Sequence, residues 1–238
     1  MTPVEVGLAV VVVGAGSVLQ GSVGFGLGLV SVPLLILIEP RLIPGPMLFN
    51  GIALTLLLSH RERRSIDFGG VGWALVGRFP GTALGAAALL VLPRHELDLA
   101  FAVLVLLAVA VTSLPIRVPP NRAGLIGAGA LSGFMATTVA IGGPPIALLL
   151  QHAAGPRLRG TLSGFFLVGA TVSLLTLAAI GRFGRTELVL ALVPLPGIII
   201  GFLISARIAK RLDHAHTRQA VLAVAAVTGV VAMVKALM

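Results

Sequence analysis

The sequence predicts an all-α integral membrane protein made of two inverted repeats, each a broken helix or re-entrant hairpin followed by three transmembrane helices. Three observations predict it. The composition is too apolar for water, two apolar runs are too long for one straight span, and short patterns recur in both halves. Of 238 residues, 57% are hydrophobic and 11% charged, with a mean hydropathy of +1.09. Soluble domains sit near 45–50% apolar and about 25% charged.

In chain order, an apolar run fills residues 4–38 and ends at Glu39-Pro40-Arg41. Residues 44–59 follow, then the charged loop HRERRSID at 60–67. Residues 68–92 and 97–114 form two more runs, separated by a PRHE turn, and PIRVPPNR at 115–122 links the halves. The second half opens with a long run at 123–151, followed by 160–181, 186–206 and 217–237. Most runs approach the ~20 residues that a spanning helix needs. The two long ones do not: a straight helix through the first would measure about 52 Å against roughly 30 Å of hydrocarbon. Each is therefore tilted steeply or broken.

The halves, 1–114 and 123–238, share PGTALG (80–85) with PGIIIG (196–201), and SVGFG (22–26) with SGFMA (132–136). Loop charges orient them. If every run crosses once, Lys and Arg divide eight against eight between the two faces. If each long run enters and leaves by one face, eleven gather on one side and five on the other. Membrane proteins concentrate Lys and Arg on the cytoplasmic side, so the second arrangement is preferred. It inverts the halves and puts both termini outside. The start, MTPVEVGLAVVVV, lacks the basic region of a cleaved signal and reads as the first membrane segment.

Composition also removes function classes. The net charge of +9 comes from basic residues in short loops, with no continuous basic face carrying interleaved aromatics, so nucleic acid is not expected. Without cysteine there is no thiolate metal site, disulfide or cysteine nucleophile. The five histidines lie at or beyond run ends, and His214-x-His216 beside Asp213 makes a poor metal site. An intramembrane hydrolase would need a nucleophile with a base, or acids holding a metal, and no mid-run His, Asp or Glu exists to serve.

What remains is transport. Irregular backbone at membrane depth survives where protein buries it or where it lines a watery cavity, and transporters aim the half-helix N-termini it creates at anions. Residues 22–33 and 132–145 are the candidate breaks. The first holds Ser22, Gly24, Phe25, Gly26 and Gly28 before Pro33; the second offers the hydroxyls of Thr137 and Thr138, then Gly142-Gly143 before two prolines. Glycine four apart also serves close helix packing, which is the preferred reading of Gly77, Gly81 and Gly85. A nucleotide loop is excluded because G-x-G-x-x-G fails at Leu29.

Arg78 lies in the middle of run 68–92, where a charge costs about 2.5–3.5 kcal/mol. All eight acids lie near run ends or in loops, so no carboxylate waits for it. Two roles stay open: an anion site, or a guanidinium bonding only to carbonyls freed by the breaks. Gln20, Asn50, Gln151 and Ser163 could line a path, although interhelical hydrogen bonding is the commoner task of such residues.

At SVGFGLGLVSVPLL (22–35) and LSGFMATTVAIGGPPIALLL (131–150) the chain resembles the sulfite exporter TauE/SafE family, with Met135-Ala136-Thr137-Thr138 where more glycine is usual. The resemblance implies a multi-pass carrier of sulfite or organosulfonates in a bacterial inner membrane. The expected substrate-binding set is Ser22, Gly24, Phe25, Gly26, Arg78, Thr137, Thr138, Gly142 and Gly143. No cofactor is expected, and H+ or Na+ is the candidate coupling ion. The expected partners are a small anion and membrane lipid, and an exposed packing stripe would serve a homodimer. A passive anion channel, or a carrier of another small organic anion, is the alternative.

Overall fold

The structure, a computed structural model, describes residues 1–93, 121–150, 153 and 155–208, with helical residues 103, 104, 106, 107 and 110. The rest of the expected run 97–114, residues 115–120 of the linker, Gln151, residues 213–216 and run 217–237 lie outside the described residues. The described residues form α-helices and short 3-10 turns, with no strand among them.

Helix α1 (Pro3–Val23) starts at a capping box. The Thr2 amide donates to Glu5 Oε2 at 2.7 Å, and the Glu5 amide donates to Thr2 Oγ1 at 3.3 Å. The helix ends at Gly24, φ 109°, and the chain turns again at Gly26, φ 129°. Both values suit glycine, because a Cβ clashes in this region. Helix α2 (Leu27–Ile38) then runs back along α1. Leu27 N–H donates to Gln20 Oε1 at 3.1 Å, and Ser31 Oγ donates to Val12 O at 3.3 Å. Glu39 and Arg41 beyond it feel the charges of the amino terminus and Glu5, so the hairpin returns to its side of entry. Pro33 sits inside α2 and not at the break.

The second long run folds likewise. Helix α5 (Arg122–Val139), capped by Asn121 Oδ1 accepting from Gly124 N–H at 2.7 Å, ends at Ala140 with φ 57°. Helix α6 (Gly143–Leu150) follows, its first turn carrying Pro144 and Pro145 where a missing N–H costs nothing. It too runs back: Ser132 lies beside Gly142, and Gly124 beside Leu149.

This changes the pairing of the halves. Ser132-Gly133-Phe134, matched from sequence to the first break, lies inside α5 and packs on α4. The segment placed like SVGFG is TVAIG (138–142), 116 residues later, the spacing that also separates the two PGxxxG stretches. Val23 and Val139 end their helices, Gly24 and Ala140 are left-handed, and Gly26 and Gly142 precede the return helices.

Between the hairpins stand α3 (Gly45–Arg61), α4 (Phe68–Val91) and α7 (Gly155–Ala179), followed by α8 (Arg185–Leu192) and α9 (Leu195–Ile208). Helices α8 and α9 meet at a 43° bend next to Pro194 and Pro196, where the sequence reads as one span. Among the described residues, three helices are long and apolar enough to cross a membrane (Pro3–Val23, Val71–Val91 and Gly155–Ala179), or four with the bent pair.

Glycine stripes set the packing. A Cβ on Gly77 or Gly81 would strike the carbonyls of Ile126 and Ala130, which seats α4 directly on α5. Gly197 and Gly201 press in the same way on Val10 and Gly14, seating α9 on α1. Both stripes follow the small-xxx-small rule for close backbone approach. Leu35, Leu54, Leu58, Leu162 and Leu177 fill the interior, whereas Val11, Leu84, Leu175 and Ile199 are exposed, as lipid-facing side chains should be.

Candidate functional site

The two hairpin turns meet. Gly28 packs against the Ala140 carbonyl with no room for a side chain, and a Cβ on Gly143 would lie 3.3 Å from Phe25 Cδ2. Beside this contact is a cavity with about 60 Å³ for the centres of water-sized molecules. One water needs about 10–15 Å³ on that measure, so a solute of a few atoms fits. Its walls come from both turns and from three helices: Met47, Leu48, Gly51 and Thr55 of α3, Arg78 of α4, and Phe166 and Ala170 of α7.

Arg78 is 1% exposed. Its Nη1 donates to Ser132 Oγ at 2.7 Å, and that hydroxyl donates to Gly142 O at 2.5 Å. The guanidinium carbon stands 5.2 Å from the Phe165 ring centroid, a cation–π distance. A Cβ on Gly169 would come within 2.6 Å of Cζ and Nε, so a side chain there would push the guanidinium from this position. Nε has no partner. The ion pairs among the described residues belong to Arg41, Arg61, Arg157 and Arg159, and none reaches Arg78. Among the described residues, nothing neutralises the positive charge at the cavity wall.

Of the residues expected from sequence, Phe25, Gly26, Arg78, Gly142 and Gly143 come together on the cavity wall. Ser22, Gly24, Thr137 and Thr138 do not. Ser22 Oγ donates to Val18 O at 2.7 Å, and Thr138 Oγ1 to Phe134 O at 2.8 Å. Thr137 Oγ1 lies 2.8 Å from Gly133 O and 2.9 Å from Ser173 Oγ, tying α5 to α7. Gly24 packs on Arg159. Helix hydroxyls bond the carbonyl four residues back unless a better partner exists, which explains why these threonines are spent.

Sequence reasoning missed Ser132 as the partner of Arg78, and also the α3 and α7 walls. Of the suggested path residues, Gln20 lines the cavity, whereas Asn50 donates to Pro46 O and Ala191 O and ties α3 to α8. Arg61, expected in a loop, turns inward: it donates to Gly21 O and to Ser205 Oγ and lies over the Phe202 ring. Glu62 bridges it to Arg159, at 3.2 and 3.0 Å, and so joins α3 to α7 at the end of the molecule nearest Gly24.

With no cluster of three or more His, Cys, Asp or Glu among the described residues, the site's chemistry rests on donors and charge. The family model for sulfite exporter TauE/SafE matches residues 8–232. The chain belongs to this family. TauE/SafE proteins are membrane transporters and not enzymes, and the family implies sulfur anions as cargo. No curated protein and no solved structure matches the chain. This TauE/SafE protein is a multi-pass membrane protein, as its apolar helices require.

Proposed function

We propose that this protein is a secondary transporter, working as an exporter, that carries a small oxyanion such as sulfite or an organosulfonate through the Arg78 cavity. The observation that carries the reading is Arg78 itself. It is a buried guanidinium with no carboxylate paired to it among the described residues, on the wall of a cavity flanked by the starts of α2 and α6. Helix starts carry positive dipole ends. Three positive features around a small void favour an anion.

Two inverted halves rocking around this cavity would give alternating access. Support comes from the packing: α4 of the first half seats on α5 of the second, and α9 of the second on α1 of the first, each through a PGxxxG stripe. Exchanging the halves exchanges these two contacts. The Lys/Arg count supports a cytoplasmic position for the loop at 60–67 and outside termini, in a bacterial inner membrane. Among the described residues no Asp, Glu or His lies on the cavity wall to hold a coupling proton, so a proton would travel on the anion; carbonyl-bound Na+ is the other candidate coupling ion.

Reconstituted protein should move sulfite or methanesulfonate into or out of liposomes with saturable kinetics. Absence of flux with either anion, in protein that is monodisperse and inserted, overturns the proposal. Flux that never saturates points to a channel.

A further inference from the structure

Gln20 lies in the last turn of α1, is 6% exposed, and lines the cavity. Its Oε1 accepts the Leu27 N–H at 3.1 Å, taking the place of a capping side chain, because α2 begins at a glycine that has none. This bond settles which end of the amide points where: an N–H can be satisfied only by the oxygen. The Nε2 group, a donor of two protons, is left facing the other way, with no partner among the described residues. Unlike Arg78 Nε, it is not sealed inside protein.

We infer that the side-chain amide of Gln20 is a second anion donor of the cavity, binding a substrate oxygen together with Arg78. The inference rests on the anion-transport reading and names a recognition element within it. Donors dominate this wall. Among the described wall residues, the hydroxyl of Thr55 already lies 2.7 Å from Gly51 O, and there is no carboxylate. A site of this kind selects solutes rich in acceptor oxygens, such as sulfite or a sulfonate head, over halide, which offers no separated oxygens for two directional donors.

The placement also couples the halves. Gln20 is part of the first hairpin and holds the start of α2, whereas Arg78 reaches through Ser132 to the Gly142 carbonyl of the second. An oxyanion bound to both side chains draws the two turns together. Binding energy is then spent on the relative position of the hairpins, the quantity a carrier must change.

The test is binding of sodium sulfite, methanesulfonate and chloride to purified full-length protein, by calorimetry and by anion-dependent shift of the melting temperature. Gln20→Glu keeps an acceptor for Leu27 N–H but loses the donor and adds negative charge. Gln20→Met keeps the length of the side chain and loses both functions. The expected result is that Gln20→Glu binds sulfite about 10- to 100-fold more weakly than wild type. Chloride affinity in Gln20→Met should change less than sulfite affinity. Either variant, folded by elution and circular dichroism, binding sulfite within twofold of wild type overturns the inference. Wild-type protein that binds none of the three anions overturns the transport reading instead, and the two failures are distinct.

Discussion

Arg78 and Ser132 are joined by a 2.7 Å hydrogen bond between α4 and α5, and the same serine hydroxyl grips the carbonyl of Gly142. A charge in the first half is thereby tethered to the hairpin turn of the second. The serine spends its only proton and one of its two lone pairs on this.

Replacing Arg78 by Gln should lower sulfite flux in proteoliposomes at least about 100-fold, since a charge-assisted contact to the cargo is lost. The melting temperature should hold or rise, because a buried cation without a carboxylate is costly to keep. A variant that transports normally removes the anion site; one that melts far lower assigns Arg78 to structure.

Ser132→Ala leaves Arg78 Nη1 and Gly142 O without each other's bridge. About 1–3 kcal/mol of stability should go with it, read as a lower midpoint in a thermal melt followed by elution. Transport should persist with a raised KM, as the arginine keeps its charge but loses its aim.

Ala140 occupies the left-handed region that Gly24 occupies in the first hairpin. Ala140→Gly should therefore relieve about 1 kcal/mol of steric strain and raise the melting temperature. The reverse change, Gly24→Ala, introduces that strain and pushes a methyl to 3.2 Å from Arg159 Cα, so it should lower it. Equal melting temperatures across these three proteins would contradict the turn geometry.

Gly81→Ala should destabilise by about 1–3 kcal/mol, because overpacking forces α4 off α5. Gly127→Ala, on the same helix pair but with nothing within 4 Å of the added atom, should be neutral or stabilising by about 0.5–1 kcal/mol. Parallel thermal melts of the two alanine variants check the contrast.

Much of this was legible in one dimension. Apolar run lengths place a helix in a membrane because every backbone polar group there must be paired internally, and that need acts locally. The breaks were legible because 35 apolar residues exceed the bilayer, and a central arginine because its cost does not depend on its neighbours. The register between the halves was not. SGFMA looks like SVGFG in letters, yet the turn forms at TVAIG, since a left-handed position can be held by Ala140 where packing of Gly28 on its carbonyl over-determines it.

The sequence by itself determined the medium, the two long interrupted runs and the lone mid-span cation, all of which follow from composition and order along one chain. Only the tertiary structure decided which polar groups are spent and which are free. Thr137 and Thr138 find partners within α5 and on α7 and leave the cavity, whereas Gln20 and Arg78 converge on it. Hydrogen-bond satisfaction is a property of contacts between helices distant in sequence, and no local pattern encodes it.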